Sequence, residues 1–90
     1  MTASRILMKE YLSGRMEERR KHLLLSQEAM AEALRITPRA YGDLERGKYC
    51  ASAFVLLLFL CRMDDTDVLS LIWDARRTVF HLDDENNEYE

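Results

Sequence analysis

Residues 25–47 read LSQEAMAEALRITPRAYGDLERG, and two helix starts lie inside these twenty-three residues. Ser26 is a good N-cap, because its hydroxyl can satisfy a first-turn amide that has no partner within the helix. Gln27 and Glu28 follow in the first turn, with Met30, Ala31 and Leu34 apolar behind them. Thr37 caps a second helix with Pro38 at its first position, where the missing N–H costs nothing. Gly47, directly after Arg46, stops that helix. Two helices this short, joined by a three-residue turn, cannot lie side by side with long contacts. They cross steeply, and the crossing needs a small residue, which Ala31 supplies. Leu34, Ile36, Tyr41 and Leu44 are then expected on the shared inner face, with Arg39, Ala40 and Asp43 on the outer one.

Working outward, the rest of the chain is also helical. Residues 3–22 place Ile6, Leu7, Tyr11, Leu12 and Met16 at helical spacing, with Gly14 as a possible split or kink. A fourth helix spans about 52–62. A fifth starts in Asp64-Asp65-Thr66-Asp67, four residues suited to a helix N-terminus, and continues through Val68, Leu69, Ile72, Trp73 and Val79. Arg76 and Arg77 fall near its C-terminal end. Three glycines and one proline in 90 residues argue against a fold with many tight turns. The expected architecture is all-α: one domain over residues 1–82, then an acidic and disordered tail over 83–90 (DDENNEYE).

The net charge of −3 hides an asymmetry. Residues 1–50 carry ten Lys/Arg against seven Asp/Glu, whereas residues 51–90 carry three against nine. A polyanion would meet the first half. Arg19-Arg20-Lys21 reads equally well as part of such a surface or as a solvated helix face. The N-terminus reaches a charge at Arg5 without a secretory h-region. The longest apolar run, Ala53 to Cys61, is nine residues, about half of the ~18–20 that cross a bilayer. Cys50 and Cys61 lack ligand spacing, and His22 and His81 lie far apart. No nucleophile–base pair, carboxylate pair or phosphate loop is present. The expectations are a cytoplasmic protein with no metal, no cofactor and no enzymatic activity.

Ser26-Gln27-Glu28, Met30-Ala31, Leu34, Ile36-Thr37 and Leu44-Glu45-Arg46-Gly47-Lys48 together resemble the Cro/C1-type (XRE-like) helix-turn-helix domain of bacterial and phage repressors. The resemblance covers roughly residues 15–61. It implies a five-helix, lambda-repressor-like bundle, here with an extended N-terminal helix, that binds double-stranded DNA and regulates transcription. By this resemblance the second helix of the motif enters the major groove, so Thr37, Pro38, Arg39, Ala40 and Asp43 face bases or nearby phosphates. Arg39 would bridge O6 and N7 of a guanine, and Asp43 would accept from a cytosine amine. Ser26 and Gln27 would meet a phosphate, while Arg46 and Lys48 flank the DNA backbone. Arg20 and Glu45 would face each other as an ion pair. Arg35 occupies the turn position that the family usually gives to glycine, at a cost of ~1 kcal/mol if its φ is positive. Gly42 inside the recognition helix costs a similar amount relative to Ala.

Helix four is apolar on every face and needs cover on all sides. The bundle core is expected to take up Phe54, Leu57, Leu58 and Cys61. A homodimer seam through Val68, Leu69, Ile72, Trp73 and Val79 would take up apolar surface that remains. The alternative is a protein-interaction module, an antitoxin or adaptor, that keeps the fold and docks a protein partner through these C-terminal helices.

Overall fold

The computed structural model describes residues 2–82. The tail at 83–90, expected to be disordered, lies outside the described residues. Five helices occur among those described: α1 (Ala3–His22), α2 (Gln27–Ala33), α3 (Pro38–Glu45), α4 (Ala53–Cys61) and α5 (Asp65–Thr78). Each opens in the same way. Thr2, Ser26, Thr37, Ser52 and Asp64 hold extended backbone at the N-cap, and each side chain accepts from the backbone N–H three residues on. Such a cap stabilises a helix by about 1 kcal/mol.

The first three helices also end alike. After α1, Leu24 has φ 59°, and the N–H groups of Leu24 and Leu25 donate back to Lys21 and Arg20. After α2, Arg35 has φ 61°, and Arg35 and Ile36 donate to Glu32 and Ala31. After α3, Gly47 has φ 72°, and Gly47 and Lys48 donate to Leu44 and Asp43. This paired closure satisfies carbonyls that a helix end leaves open. Only the third of these turns uses glycine. Leu24 and Arg35 hold the left-handed region at a steric cost, and nothing in the sequence marked Leu24 for it.

The core gathers around the α2–α3 crossing. Ala31, Leu34 and Tyr41 are fully buried there, with Met16 of α1, Met30 of α2, Leu44 of α3, Val55 and Phe59 of α4, and Leu71 of α5. Ile36 packs against this cluster half-buried. Ion pairs join α1 to α5 beside this apolar packing: Arg15 pairs with Asp74, and Arg19 Nη1 meets Asp67 Oδ2 at 2.9 Å. The Tyr11 hydroxyl donates to the Leu71 carbonyl at 2.6 Å.

Three expectations need correction. Gly14 neither splits nor kinks the pattern: α1 is one helix, and Gly14 is exposed with open space beside it. The buried face of α4 is Val55 and Phe59, whereas Phe54, Leu57 and Cys61 are exposed and Leu58 is half-buried. Where every position is apolar the sequence has no preferred face, so the crossing with its neighbours decides the rotation. Val79, expected at a dimer seam, is 1% exposed within a single chain. It follows the last residue of α5, where the chain turns back at positive φ through His81.

Candidate nucleic-acid interface

A single carboxylate ties α3 to its neighbours. Glu45 Oε2 accepts from Arg20 Nε at 2.6 Å and from the Tyr41 hydroxyl at 2.5 Å. Its Oε1 accepts from Gln27 Nε2 at 2.9 Å and Arg20 Nη2 at 3.2 Å. Arg20 Nη1 reaches further, to the Leu25 carbonyl at 3.0 Å. The Glu45 side chain is 5% exposed and that of Arg20 14%. Glu45 therefore ties α3 to α1 and to the start of α2, and Arg20 extends the connection to the α1–α2 loop. Burial opposes ionisation of Glu45, but the bonds from Arg20, Tyr41 and Gln27 outweigh it and hold the carboxyl below its usual range. Burial, reinforced by the bond to Glu45, pushes the Tyr41 hydroxyl far above the usual phenol range.

The outer surface of α3 follows from this fixed pose. Arg39, Gly42 and Arg46 succeed one another at spacings of three and four residues, so they share one face, on which Arg39 and Arg46 are exposed and Gly42 is buried. The Gln27 side chain borders that face: a Cβ added at Gly42 would lie 3.6 Å from Gln27 Oε1 and 3.2 Å from Arg46 Nη1. Thr37, Pro38 and Arg39 are exposed, as are Ser26 and Gln27 at the start of α2. The hydroxyls of Ser26 and Thr37 accept from Ala29 and Ala40 as caps. Ala40 is half-buried, and its carbonyl accepts from the Tyr49 hydroxyl at 3.4 Å. Lys48 is exposed just past the turn that ends α3.

Asp43 departs from expectation. It is 8% exposed, and its carboxylate is bound by the Arg46 guanidinium one helical turn further on. It does not present itself on the outer face as an acceptor. The signal was available as an acid and an arginine three residues apart, a spacing that brings two side chains together on a helix. The pairing also offsets a negative charge that would otherwise confront phosphate.

The basic run of α1 is spent on internal pairs. Arg19 and Arg20 bind Asp67 and Glu45, and Lys21 meets Glu17 at 3.0 Å. Of the expected C-terminal seam, Leu69, Ile72 and Trp73 are exposed, Val68 is half-buried and Val79 is buried. Leu69, Ile72, Trp73 and Arg76 fall on one stripe of α5, and the Arg76 guanidinium lies 4.4 Å from the centre of the Trp73 ring. Neither a helix long and apolar enough to cross a membrane nor a metal-ligating cluster occurs among the described residues.

Two short helices packed together across a tight turn, the second tied to its neighbours through Glu45 and carrying exposed Arg39 and Arg46, define a helix-turn-helix module. Residues 16–66, more than half of the chain, match the helix-turn-helix family, and the protein belongs to its Cro/C1-type branch of DNA-binding regulators. No curated protein and no solved structure matches the chain significantly.

Proposed function

We propose that this protein is a sequence-specific transcriptional repressor, cytoplasmic, that places α3 in the major groove as a homodimer on a pseudo-palindromic site. The observation that carries the reading is the Arg20–Glu45–Gln27 connection, which sets α3 and the start of α2 in one rigid unit beside the exposed Arg39. In this reading Arg39 bridges a guanine edge, with Thr37, Pro38 and Ala40 beside it. Ser26, Gln27, Arg46 and Lys48 meet the DNA backbone. Asp43, covered and paired, has no part in base recognition.

The dimer is supported by apolar surface at the opposite elements. An open cleft of about 280 Å³ runs between α1, α4 and α5, with Leu56, Leu60 and Ile72 on its walls. Phe54, Leu57, Leu69 and Trp73 add exposed apolar area on the same two C-terminal helices. For a second copy covering it to bring two recognition helices to successive half-sites, those helices must lie ~34–36 Å apart. This surface equally favours the second reading, a module that docks a protein partner.

Selection of duplexes from a random pool, followed by binding over a range of salt, separates the two readings. A repressor enriches a two-fold-related site and loses affinity steeply as salt rises. An interaction module enriches no site.

A further inference from the structure

Bordering the recognition surface at Lys48, three parts of the chain line an open cleft of about 390 Å³. The N-terminal half of α1 contributes Arg5, Met8 and Lys9, the α3–α4 connection contributes Lys48 and Tyr49, and Phe80 closes it beyond α5. Its volume falls at the lower end of the ~300–1,000 Å³ found for small-molecule sites. The lining sets three cations against an apolar wall, with Ser4 and Cys50 beside them, and among the described residues no acid lines it. Farther along α1 the basic residues are spoken for: Arg15, Arg19, Arg20 and Lys21 each have a carboxylate partner. Arg5, Lys9 and Lys48 have none among the described residues. Arg5 and Lys9 are also one helical turn apart, a like-charge pair that an anion would relieve.

We propose that this cleft binds an amphipathic organic anion, a single carboxylate or similar head on an aromatic or aliphatic body. The head is held by Arg5, Lys9 and Lys48, and the body lies on Met8, Tyr49 and Phe80. A bare inorganic anion would leave the apolar wall in water, and a neutral apolar molecule would leave three like charges uncompensated. The cleft also touches α3. Tyr49 donates from its hydroxyl to the Ala40 carbonyl, and the Lys48 N–H donates to the Asp43 carbonyl at 3.0 Å. One consequence rests on the DNA-binding reading above: an anion paired with Lys48 withdraws a cation from the DNA backbone, so the occupied protein holds DNA more weakly.

The site is tested without DNA. The full chain, isotope-labelled, is titrated with naphthalene-1-carboxylate, and its backbone amide shifts are followed. Saturable shifts centred on Lys9, Lys48 and Tyr49 are expected, with the neutral naphthalene-1-carboxamide binding about tenfold more weakly, a loss of ~1.4 kcal/mol. The double substitution Arg5→Gln/Lys9→Gln is expected to weaken the carboxylate by about tenfold or more. Phe80→Ala should weaken both probes, which separates the apolar contribution from the ionic one. Equal affinity for the two probes, shifts centred on Leu69 and Trp73, or no saturable shift overturns the proposal. With an operator duplex, the carboxylate should lower affinity and flatten the salt dependence by about one unit. Binding of the probe at this cleft by a protein that holds no DNA overturns the DNA reading and leaves the site standing.

Discussion

Arg20 on α1 and Glu45 at the end of α3 meet at 2.6 Å, Nε to Oε2, although twenty-five residues separate them. The pair closes the α1–α3 contact from its polar side while Met16, Tyr41 and Leu44 close it from the apolar side. Arg20→Ala would leave the Glu45 carboxylate covered, with Tyr41 and Gln27 as its remaining donors. The expected loss is about 3 kcal/mol, at the lower end for removing one partner of a buried pair. Urea denaturation of Arg20→Ala beside Arg20→Met/Glu45→Leu checks this, since the double substitution, which strands no charge, should cost less. Equal losses would show that the charge left behind is not what destabilises the single variant.

The same carboxylate predicts a pH dependence. Its folded pKa lies below the unfolded value, ~4.3 for glutamate, so its contribution is present above that value and lost as pH falls through the folded pKa. Tyr41 behaves in the opposite sense. Its folded pKa is raised, so its contribution is present below the ordinary ~10 and lost as pH rises beyond it. Stability should therefore be flat with respect to these two groups between about pH 5 and pH 9. Glu45→Gln should reduce the acid-side slope, as measured by thermal melts from pH 3 to pH 7.

Arg35 holds φ 61° with an exposed side chain, so little besides its backbone conformation is at stake. Arg35→Gly removes the clash of Cβ in the left-handed region. It should stabilise the protein by about 0.5–1 kcal/mol, the strain relief being partly offset by the greater freedom of glycine in the unfolded chain. A rise in the urea midpoint with an unchanged slope is the expected result. A fall would mean that the turn is not strained.

On DNA, Arg39 and Lys48 should behave differently. Arg39→Ala is expected to cost ~1–3 kcal/mol and to relax preference at one base position. Lys48→Ala should weaken all duplexes alike and reduce the salt slope by about one unit. Binding titrations at several salt concentrations, on a selected site and on a scrambled one, distinguish the two effects.

Trp73 is 50% exposed in the single chain, stacked by Arg76 and flanked along its stripe by Leu69 and Ile72. Sedimentation at tens of micromolar should show a dimer, and Trp73→Glu should yield a monomer. Because that side chain is only half-covered within one chain, dimer loss should exceed any loss of monomer fold, as judged by circular dichroism. A wild-type monomer at those concentrations would end the homodimer reading.

Local chemistry was enough to mark several helix starts and the end of α3. Thr37-Pro38, Ser26 and Asp64 mark helix starts because a cap is satisfied within three residues, and Gly47 marks a stop for the same local reason. The residues of the α2–α3 crossing were legible too, since helical periodicity puts Ala31, Leu34, Tyr41 and Leu44 on one side whatever lies opposite. Tertiary structure decided what local pattern leaves open. The rotation of α4 was undetermined because its nine positions are uniformly apolar, and packing chose Val55 and Phe59. Asp43 reads as an outward residue by spacing, yet Arg46 folds back and covers it. Nor could spacing show that Gln27, Tyr41 and Arg20 converge on Glu45. Donors drawn from three helices meet one carboxylate only after those helices have packed, because the low-dielectric site that makes the pairing strong is itself a product of folding.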